Sequence, residues 1–297
     1  MACIGPIRAV TIAAPEPQRL IDAYRLYLGY ELVDDGRVGH ALAQLWGRPA
    51  LAGRRQAIML PEGDGETFIR FVESRPTAPY AAFRHFGWNA AELIVQDPDA
   101  LAARLAASPF RIIGPPADLS ISDQIRALQV LGPAREALYL TQFKRKLPQF
   151  DTPTAKHAVD RVFIVVLGGP SIGAVSDFYV RHFDVPRSPV TPAVISVMSH
   201  AFGMPPDSRH DLQAVPLAGQ SYIEIDAMPP TAGPRASGDT GELPPAIALV
   251  SFAIDALPSS GLEYVAEPRT IAERPYDGRR AAVCVGAAGE LIELIEG

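Results

Sequence analysis

Stretches in which apolar and polar residues alternate recur along the chain, and each is followed by residues with a different spacing of apolar positions. RAVTIAA (8 to 14) alternates as a half-buried strand does. The residues that follow repeat their apolar positions every three or four, which gives one helical face: Leu20, Ile21, Tyr24, Tyr27 and Leu28. The pattern predicts a strand and then an amphipathic helix that ends at Gly29.

The same order of strand and helix occurs three more times. RVFIVVL (161 to 167) precedes SIGAVSDFYVRHF, and AELIVQD (91 to 97) precedes PDALAARLAAS, with Asp97 as the predicted N-cap. In the fourth copy, ALVSFAID (248 to 255), Pro258 and Gly261 leave only a stub of helix. Short alternating segments follow and end in TFIRFVE, EALYLTQ, SYIEIDA and ELIELIE. The chain therefore reads as four modules, each with one strand, one helix and further strands.

Two internal similarities indicate that the second half repeats the first. RALQVLGPAREALYL (126 to 140) aligns with RAAVCVGAAGELIEL (280 to 294) at an offset of 280 − 126 = 154 residues, which places Tyr139 opposite Glu293. LWGRPALAGRRQAIML (45 to 60) likewise resembles AFGMPPDSRHDLQAVPL (201 to 217).

The repeat predicts two domains, each made of two consecutive modules. The first is 1–147, with modules at 5–75 and 86–143, and the second is 158–297, with modules at 158–228 and 246–297. The connector 229–245 is rich in Pro, Gly, Ser and Thr, which predicts a mobile linker or lid between modules three and four.

Four such modules resemble the vicinal oxygen chelate superfamily, which includes glyoxalase I, extradiol dioxygenases and bleomycin resistance proteins. The resemblance covers nearly the whole chain, and its local marks are AYRLYLGYEL (23 to 32) and the acid that precedes Leu or Ile in the terminal strands. It implies an α+β fold in which four βαβββ modules pair into two cup-shaped domains of mixed sheet. It also implies a metal site to which first strands contribute histidine and last strands contribute glutamate.

At the last-strand position this resemblance places Glu224 in module three and Glu293 in module four, with Arg70 and Tyr139 in modules one and two. We expect the two glutamates to face each other in the C-terminal cup, where crowding raises one pKa and gives a proton donor or base. Alternatively, one or both turn to solvent. Arg70 and Tyr139 would either plug the other cup or line a second ligand pocket.

The first strands depart from the resemblance because none supplies histidine: the matching positions hold Ala9 or Thr11, Ala90, Arg161 and Ala248. Two carboxylates without an imidazole would hold at best a loosely bound hard cation. We therefore expect no cofactor and no metal ligands, with a divalent metal as an alternative. Arg161 would either neutralise a substrate carboxylate or enolate, or pair with Glu224 or Glu293 and fill the vacated metal site.

Further candidates belong to the rim and walls of the cup. His200 and His210, in SHAFGMPPDSRHD (199 to 211), would act as acid or base from the rim or serve as surface or capping residues. Apolar contacts to a ligand are expected from Phe163, Tyr222 and Phe252.

Composition limits the partners. The net charge of −6 gives no general attraction to nucleic acid or anionic membranes. Cys3 and Cys284 fit no zinc or redox spacing, which favours a reducing compartment. The first residues lack the basic start of a signal peptide, and no run approaches the ~20 apolar residues of a membrane span. We expect a cytoplasmic monomer or homodimer whose partner is a small-molecule ligand, and no nucleic-acid or membrane partner.

Together these features predict a protein that binds a small, partly apolar organic molecule in the C-terminal cup. Its chemistry would be metal-independent proton transfer, as in an isomerase, lyase or dehydratase. Two alternatives stay open. One is a sequestering protein of bleomycin-resistance type without turnover, and the other is a divergent metal-dependent dioxygenase or glyoxalase-like enzyme.

Overall fold

The computed structural model describes residues 3–63, 65–76, 79–148, 150–235, 241–259 and 261–297. Module one consists of β1 (Ile4–Ala14), α1 (Pro17–Ala23) with a π-helical turn (Tyr24–Leu28), β2 (Tyr30–Arg37), α2 (His40–Leu45), a 3-10 turn (Pro49–Leu51), β3 (Arg55–Pro61) and β4 (Phe68–Glu73). Module two consists of β5 (Gly87–Val95), α3 (Pro98–Leu105), β6 (Arg111–Leu119), β7 (Ser122–Leu131) and β8 (Ala137–Phe143).

The second half of the chain repeats this order. Module three consists of β9 (Val159–Gly169), α4 (Ile172–Phe183), β10 (Thr191–Val194), α5 (Ser196–Ala201), β11 (Arg209–Leu217) and β12 (Ser221–Ala227). Module four consists of β13 (Ala246–Ile254), β14 (Arg269–Thr270), β15 (Arg280–Val285) and β16 (Leu291–Glu296). In its described residues module four has no helix, because Pro258 and Gly261 break the helical pattern there.

Local signals at the helix ends act as the sequence predicts. The Asp97 side chain accepts hydrogen bonds from the backbone N–H groups of Asp99 and Ala100 and so caps α3. The helical segment of module one ends at Gly29, whose φ of 75° is a left-handed conformation that suits glycine.

The strands form two mixed sheets of eight strands, which confirms the α+β fold of paired cups. Sheet one has the order β14-β15-β16-β13-β1-β4-β3-β2, and sheet two has the order β10-β11-β12-β9-β5-β8-β7-β6. In sheet one, β1 pairs antiparallel with β13. In sheet two, β5 pairs antiparallel with β9. We call the concave face of sheet one cup one and that of sheet two cup two.

The predicted pairing of consecutive modules within one sheet is therefore wrong. Module one shares a sheet with module four, and module two shares a sheet with module three. The physical reason is that β1 and β5 are central strands: all nine residues of β5 are buried, and so are most of β1. Such a pattern requires a neighbour on each side but does not choose which strand it is.

The two sheets pack against each other through one large apolar cluster. It contains residues of both sheets, including Val10 and Val250 from sheet one and Leu138 and Val165 from sheet two. Two equivalent hydrogen bonds also join a helical segment of one module to the turn before the last strand of another. The Tyr24 hydroxyl donates to Glu136 at 3.1 Å, and the Tyr179 hydroxyl donates to Glu290 at 2.9 Å.

The connector 229–245 was predicted as a mobile linker or lid, and residues 236–240 of it lie outside the described part. In its described part, the half-buried Arg235 donates through Nη1 to the carbonyl oxygens of Pro245 and Ile247, at 3.2 and 2.6 Å. This arginine ties the connector to the start of β13. No helix in the described residues is both long enough and apolar enough to cross a membrane.

Candidate functional site

Cup one is closed by a buried ion pair. Arg70 Nη2 lies 3.1 Å from Glu293 Oε2, and both side chains have no solvent exposure. Glu293 Oε1 also accepts hydrogen bonds from Trp46 Nε1 at 2.8 Å and from the Tyr276 hydroxyl at 2.7 Å, and its second oxygen accepts one from Ser251. Every oxygen of the carboxylate is therefore satisfied by protein groups.

The arginine is held as completely as the glutamate. Its Nε donates to Thr11 Oγ1 at 2.9 Å and its Nη1 donates to the Tyr276 hydroxyl at 2.7 Å. The guanidinium carbon also lies 4.8 Å from the centre of the Trp46 ring, which is a cation–π contact. Because α2 and the residues around it fill the space above this network, cup one has a packed interior.

Cup two contains a row of polar side chains on neighbouring strands. Gln129 on β7 lies opposite Tyr139 on β8, and Tyr139 lies opposite Glu92 on β5. Glu224 on β12 faces the same cavity, which has a volume of about 380 Å³. Gly114, on the edge of the row, gives Gln129 its room, since a Cβ there would lie 1.9 Å from Gln129 Oε1.

The acids of cup two favour the protonated form. Burial, and then the negative charge of Glu224, raises the pKa of Glu92. Burial also raises the pKa of Glu224, although this side chain is partly exposed to the cavity. Asp226 lies two residues further along β12, and burial followed by the charges of Glu224 and Glu92 raises its pKa as well. Glu92 and Glu224, crowded together in this way, share a proton near neutral pH.

The hydroxyl of Tyr139 and Oδ1 of Asp226 are buried polar atoms of cup two without a hydrogen-bond partner among the described residues. An unpaired buried polar atom costs about 1–3 kcal/mol, so a ligand or water that pairs with it stabilises the site. Burial and the surrounding acids raise the pKa of Tyr139 well above its ordinary value, which keeps its hydroxyl as a donor.

The metal that the resemblance implies does not fit the side chains of cup two. The cup-facing positions hold Glu92 on β5, Tyr139 on β8, Val166 on β9 and Glu224 on β12. This donor set has two carboxylates but no imidazole or thiolate, whereas zinc and iron sites normally include nitrogen or sulfur. No group of three or more His, Cys, Asp or Glu side chains in the described residues is arranged to hold a metal.

Glu224 and Glu293, the two glutamates predicted to converge, lie in different sheets, so that prediction is wrong. Glu293 pairs with Arg70 in cup one, whereas Glu224 shares cup two with Tyr139. The reason is the exchange of sheet partners between modules. Glu92 and Asp226, which the sequence analysis did not select, are the acids that accompany Glu224 instead.

Arg161 is not a partner of either glutamate. Its Nη2 donates to the carbonyl oxygen of Gly219 at 2.9 Å, and it forms no ion pair within the described part of the chain. The predicted ion pair that would fill the metal position is therefore wrong. Arg161 lies at the start of β9, whereas Val166 is the residue of that strand paired with Glu224.

The two rim histidines have different surroundings. His210 is buried, its Nε2 lies 2.8 Å from Ser199 Oγ, and burial lowers its pKa. Neither His210 nor Ser199 lines the cavity of cup two. His200 is exposed and lines a neighbouring groove.

The predicted apolar contacts lie outside the cavity. Phe163 is fully buried and its ring centre is 6.0 Å from that of Phe143. The Tyr222 hydroxyl accepts a hydrogen bond from the backbone N–H of Asp151 at 2.9 Å. Phe252 packs near Trp88 in the core between the sheets. The apolar wall of the cavity comes instead from Ala127, Ala193, Ile195, Val197 and Leu212.

The residues that sequence reasoning missed gave a weak signal. Glu92 is the one acid within AELIV, a segment that otherwise reads as a buried strand. Asp226 follows Glu224 by two residues and so lies on the same face of β12. A charged residue inside an apolar strand is a marker for a site, because burying it has to be offset by function or by partners.

Comparison of the whole structure with solved structures defines the class of fold. Glyoxalase I from Zea mays matches with a TM-score of 0.63 at 13% identity, over 98% of this chain and 92% of that one. A candidate dioxygenase from Bacillus subtilis matches with a TM-score of 0.64 at 14% identity, over 100% of this chain and 86% of that one. The chain therefore shares its overall fold with these two proteins.

That likeness extends to the fold alone, since the sequences are so different. No protein-family model matches the amino-acid sequence, and the comparison with curated proteins gives no significant match. The predicted resemblance is confirmed as a resemblance of fold.

Proposed function

We propose that cup two binds a small, partly apolar organic molecule and catalyses proton transfer on it without a metal, as an isomerase, lyase or dehydratase does. The observation that carries this proposal is that Glu92 and Glu224 line one cavity and the charge of one raises the pKa of the other. A carboxyl pair that holds one proton near neutrality contains a base and an acid in one place.

The roles follow from the two protonation states. The ionised carboxylate removes a proton from the carbon next to a carbonyl group, and the C–H electron pair forms the enol double bond. The protonated carboxyl gives its proton to the carbonyl oxygen. For isomerisation of a hydroxy ketone, the newly protonated carboxyl gives its proton to the former carbonyl carbon while the newly ionised carboxylate takes the proton of the neighbouring hydroxyl, which becomes the new carbonyl group. For elimination, the ionised carboxylate takes the enol O–H proton, the carbonyl group re-forms, and the electron pair of the double bond expels the leaving group from the next carbon, which departs with the proton of the other carboxyl. Both routes return the pair to one ionised and one protonated carboxyl. The unpaired hydroxyl of Tyr139 supplies a hydrogen bond to the same oxygen.

The cavity suits a molecule with one apolar side. Its volume of about 380 Å³ lies toward the small end of ligand pockets, and the apolar wall includes Ile195 and Leu212. The polar row with Gln129 and Tyr139 lies on the sheet, so the ligand would place its oxygen atoms on that side. The shape favours a ring or short chain that carries a carbonyl group.

The second candidate is a binding protein without turnover. The observation that favours it is Val166, the β9 residue paired with Glu224, which is apolar and has no group that could bind a metal or move a proton. A site without a metal ligand at this position could bind a small molecule and catalyse no reaction on it. The acids of cup two favour catalysis instead, because burying them unpaired has a cost that simple binding of an apolar molecule does not require.

The experiment has two parts. A panel of enolisable ketones and hydroxy ketones is first screened by thermal shift. Binders are then incubated with the protein in D2O, and exchange of the proton next to the carbonyl is followed by NMR. Catalysis predicts exchange that falls at least 100-fold in E92Q and E224Q while binding is retained. The matched control is E31Q, because Glu31 lies exposed on β2.

The outcome separates the candidates. Binding without exchange in the natural protein supports the sequestering protein and overturns catalysis for those compounds. Exchange that persists at full rate in both glutamine variants overturns the acid–base roles of Glu92 and Glu224.

A further inference from the structure

A second and larger cavity lies beside cup two and has a different character. This groove has a volume of about 940 Å³, and four basic side chains from different elements line it: Arg19 of α1, Arg111 of β6, Arg135 of the turn before β8 and His200 of α5. None of its lining residues is acidic. In a chain with a net charge of −6, a cavity with only basic charges is unusual and has to be explained.

The arginines of the groove make few hydrogen bonds or ion pairs with other side chains of the described residues. The Arg111 side chain is exposed and makes no hydrogen bond or ion pair within the described residues. Arg135 Nη1 donates to the backbone oxygen of Tyr80 at 2.9 Å, which fixes the guanidinium and leaves its other N–H groups without protein acceptors there. Arg19 has one ion pair, at 4.0 Å to the exposed Glu16. Exposed ion pairs at such a long distance contribute little to stability.

A buried hydroxyl in the same groove also has no partner. Tyr80 is 7% exposed, and its hydroxyl has no hydrogen-bond partner among the described residues. Its ring is held from one side by Arg235, whose guanidinium carbon lies 5.0 Å from the ring centre. The Tyr80 ring is therefore fixed in place, with a donor that no described group of the protein uses.

We propose that this groove binds a small oxyanion, either a phosphate group or a carboxylate, through Arg111 and Arg135 with a hydrogen bond from the Tyr80 hydroxyl. A guanidinium binds both kinds of oxyanion through two parallel N–H donors, and its preference for them is stronger than that of lysine. Arg19 adds a further positive charge to the lining of the groove. The site goes beyond the proposed function, because anion binding here does not require chemistry in cup two.

The position of the groove suggests how the two cavities are used. Val197 of α5 lines both, so the two cavities adjoin at this residue. A ligand that carries an anionic group would place that group in the groove and its apolar part in cup two. The groove then selects anionic molecules from neutral ones of similar shape.

Isothermal titration calorimetry with inorganic pyrophosphate and with citrate tests the site, at low salt and on the full chain. We expect saturable binding of at least one of them, which weakens about tenfold in R111Q and in R135Q, since each variant removes a charged donor to the anion. Y80F weakens binding several-fold. The matched control is R181Q, because Arg181 is exposed on α4 and lies outside the groove.

The two ligands distinguish the source of the oxyanion. Tighter binding of pyrophosphate indicates a phosphate-bearing ligand, and tighter binding of citrate indicates a carboxylate. The proposal is overturned if neither ligand binds, or if R111Q, R135Q and R181Q all bind as the natural protein does. Circular dichroism of each variant verifies that the fold is intact.

Discussion

Arg70 and Glu293 form an ion pair at 3.1 Å in which neither side chain has any exposure to solvent. The two residues lie 223 positions apart in sequence and meet only because module one and module four share a sheet. Cup one is in this way filled by its own polar side chains, while cup two keeps a cavity with unpaired polar atoms. The two cups therefore differ in structure, since one is packed and the other holds a cavity.

The first prediction concerns this pair. R70M leaves the Glu293 carboxylate buried without its cation, so we expect a loss of about 3–5 kcal/mol in the free energy of unfolding. In R70M/E293Q no charge remains, and the glutamine oxygen still accepts from Trp46 and Tyr276. We expect the double variant to be more stable than R70M, as measured by urea denaturation.

The matched control is a pair on the surface. Arg187 and Asp177 lie 2.6 Å apart with side chains 63% and 49% exposed, and R187M should change stability by less than about 1 kcal/mol. If R70M/E293Q proved less stable than R70M, the buried charge would not be the cause of the loss.

The second prediction concerns pH. Burial raises the pKa of Glu136 and of Glu290 from 4.5 to about 7, because both carboxyls lie in the core. A raised folded-state pKa means that the folded state binds protons more tightly than the unfolded state. The resulting stability is complete below about 4.5 and is lost as pH rises through about 7.

The measurement is the urea midpoint at pH 5 and at pH 8. E136Q and E290Q should each reduce the fall in stability between these values, by an amount on the order of 3 kcal/mol for a shift of this size. E31Q, on the exposed strand β2, should leave the fall unchanged. A fall that is equally steep in E136Q and E290Q would contradict the assignment.

The third prediction compares two equivalent glycines. Gly47 follows Trp46 and Gly203 follows Phe202 in the two segments that the internal repeat aligns. Their φ angles are 64° and 65°. A Cβ at Gly47 would lie 2.5 Å from Val265 Cγ1, whereas nothing lies within 4 Å of a Cβ at Gly203. G203A should therefore cost about 1 kcal/mol for its left-handed backbone, and G47A should cost clearly more. Thermal unfolding of both variants measures the difference, and equal losses would rule out the steric contact.

The fourth prediction concerns the acids of cup two. The charge of Glu224 raises the pKa of Glu92, so E224Q should lower the pKa of Glu92. NMR of protein labelled with ¹³C at the glutamate carboxyls measures this titration. Glu136, which lies outside cup two, serves as the internal control and should not move. An unchanged Glu92 titration would mean that the two carboxyls do not interact.

The positions of site residues were predictable to different degrees. Glu224 was found from the terminal-strand pattern. The repeat placed Tyr139 opposite Glu293, and in the structure Tyr139 is the third residue of β8 and Glu293 is the third residue of β16. Glu92 was missed because the register of β5 against β8 decides which of its residues faces Tyr139. Register depends on pairing, and a strand buried on both faces gives no alternation from which to infer it.

The sequence by itself determined the four modules, their order of strand and helix, and the caps at Gly29 and Asp97. These depend on alternation, helical spacing and turn chemistry, which act between residues a few positions apart. Only the tertiary structure decided that β1 pairs with β13 and β5 with β9, and hence which acids share a cup. The physical reason is that a buried central strand accepts any neighbour with a compatible edge, so the choice is made by the packing of the whole chain.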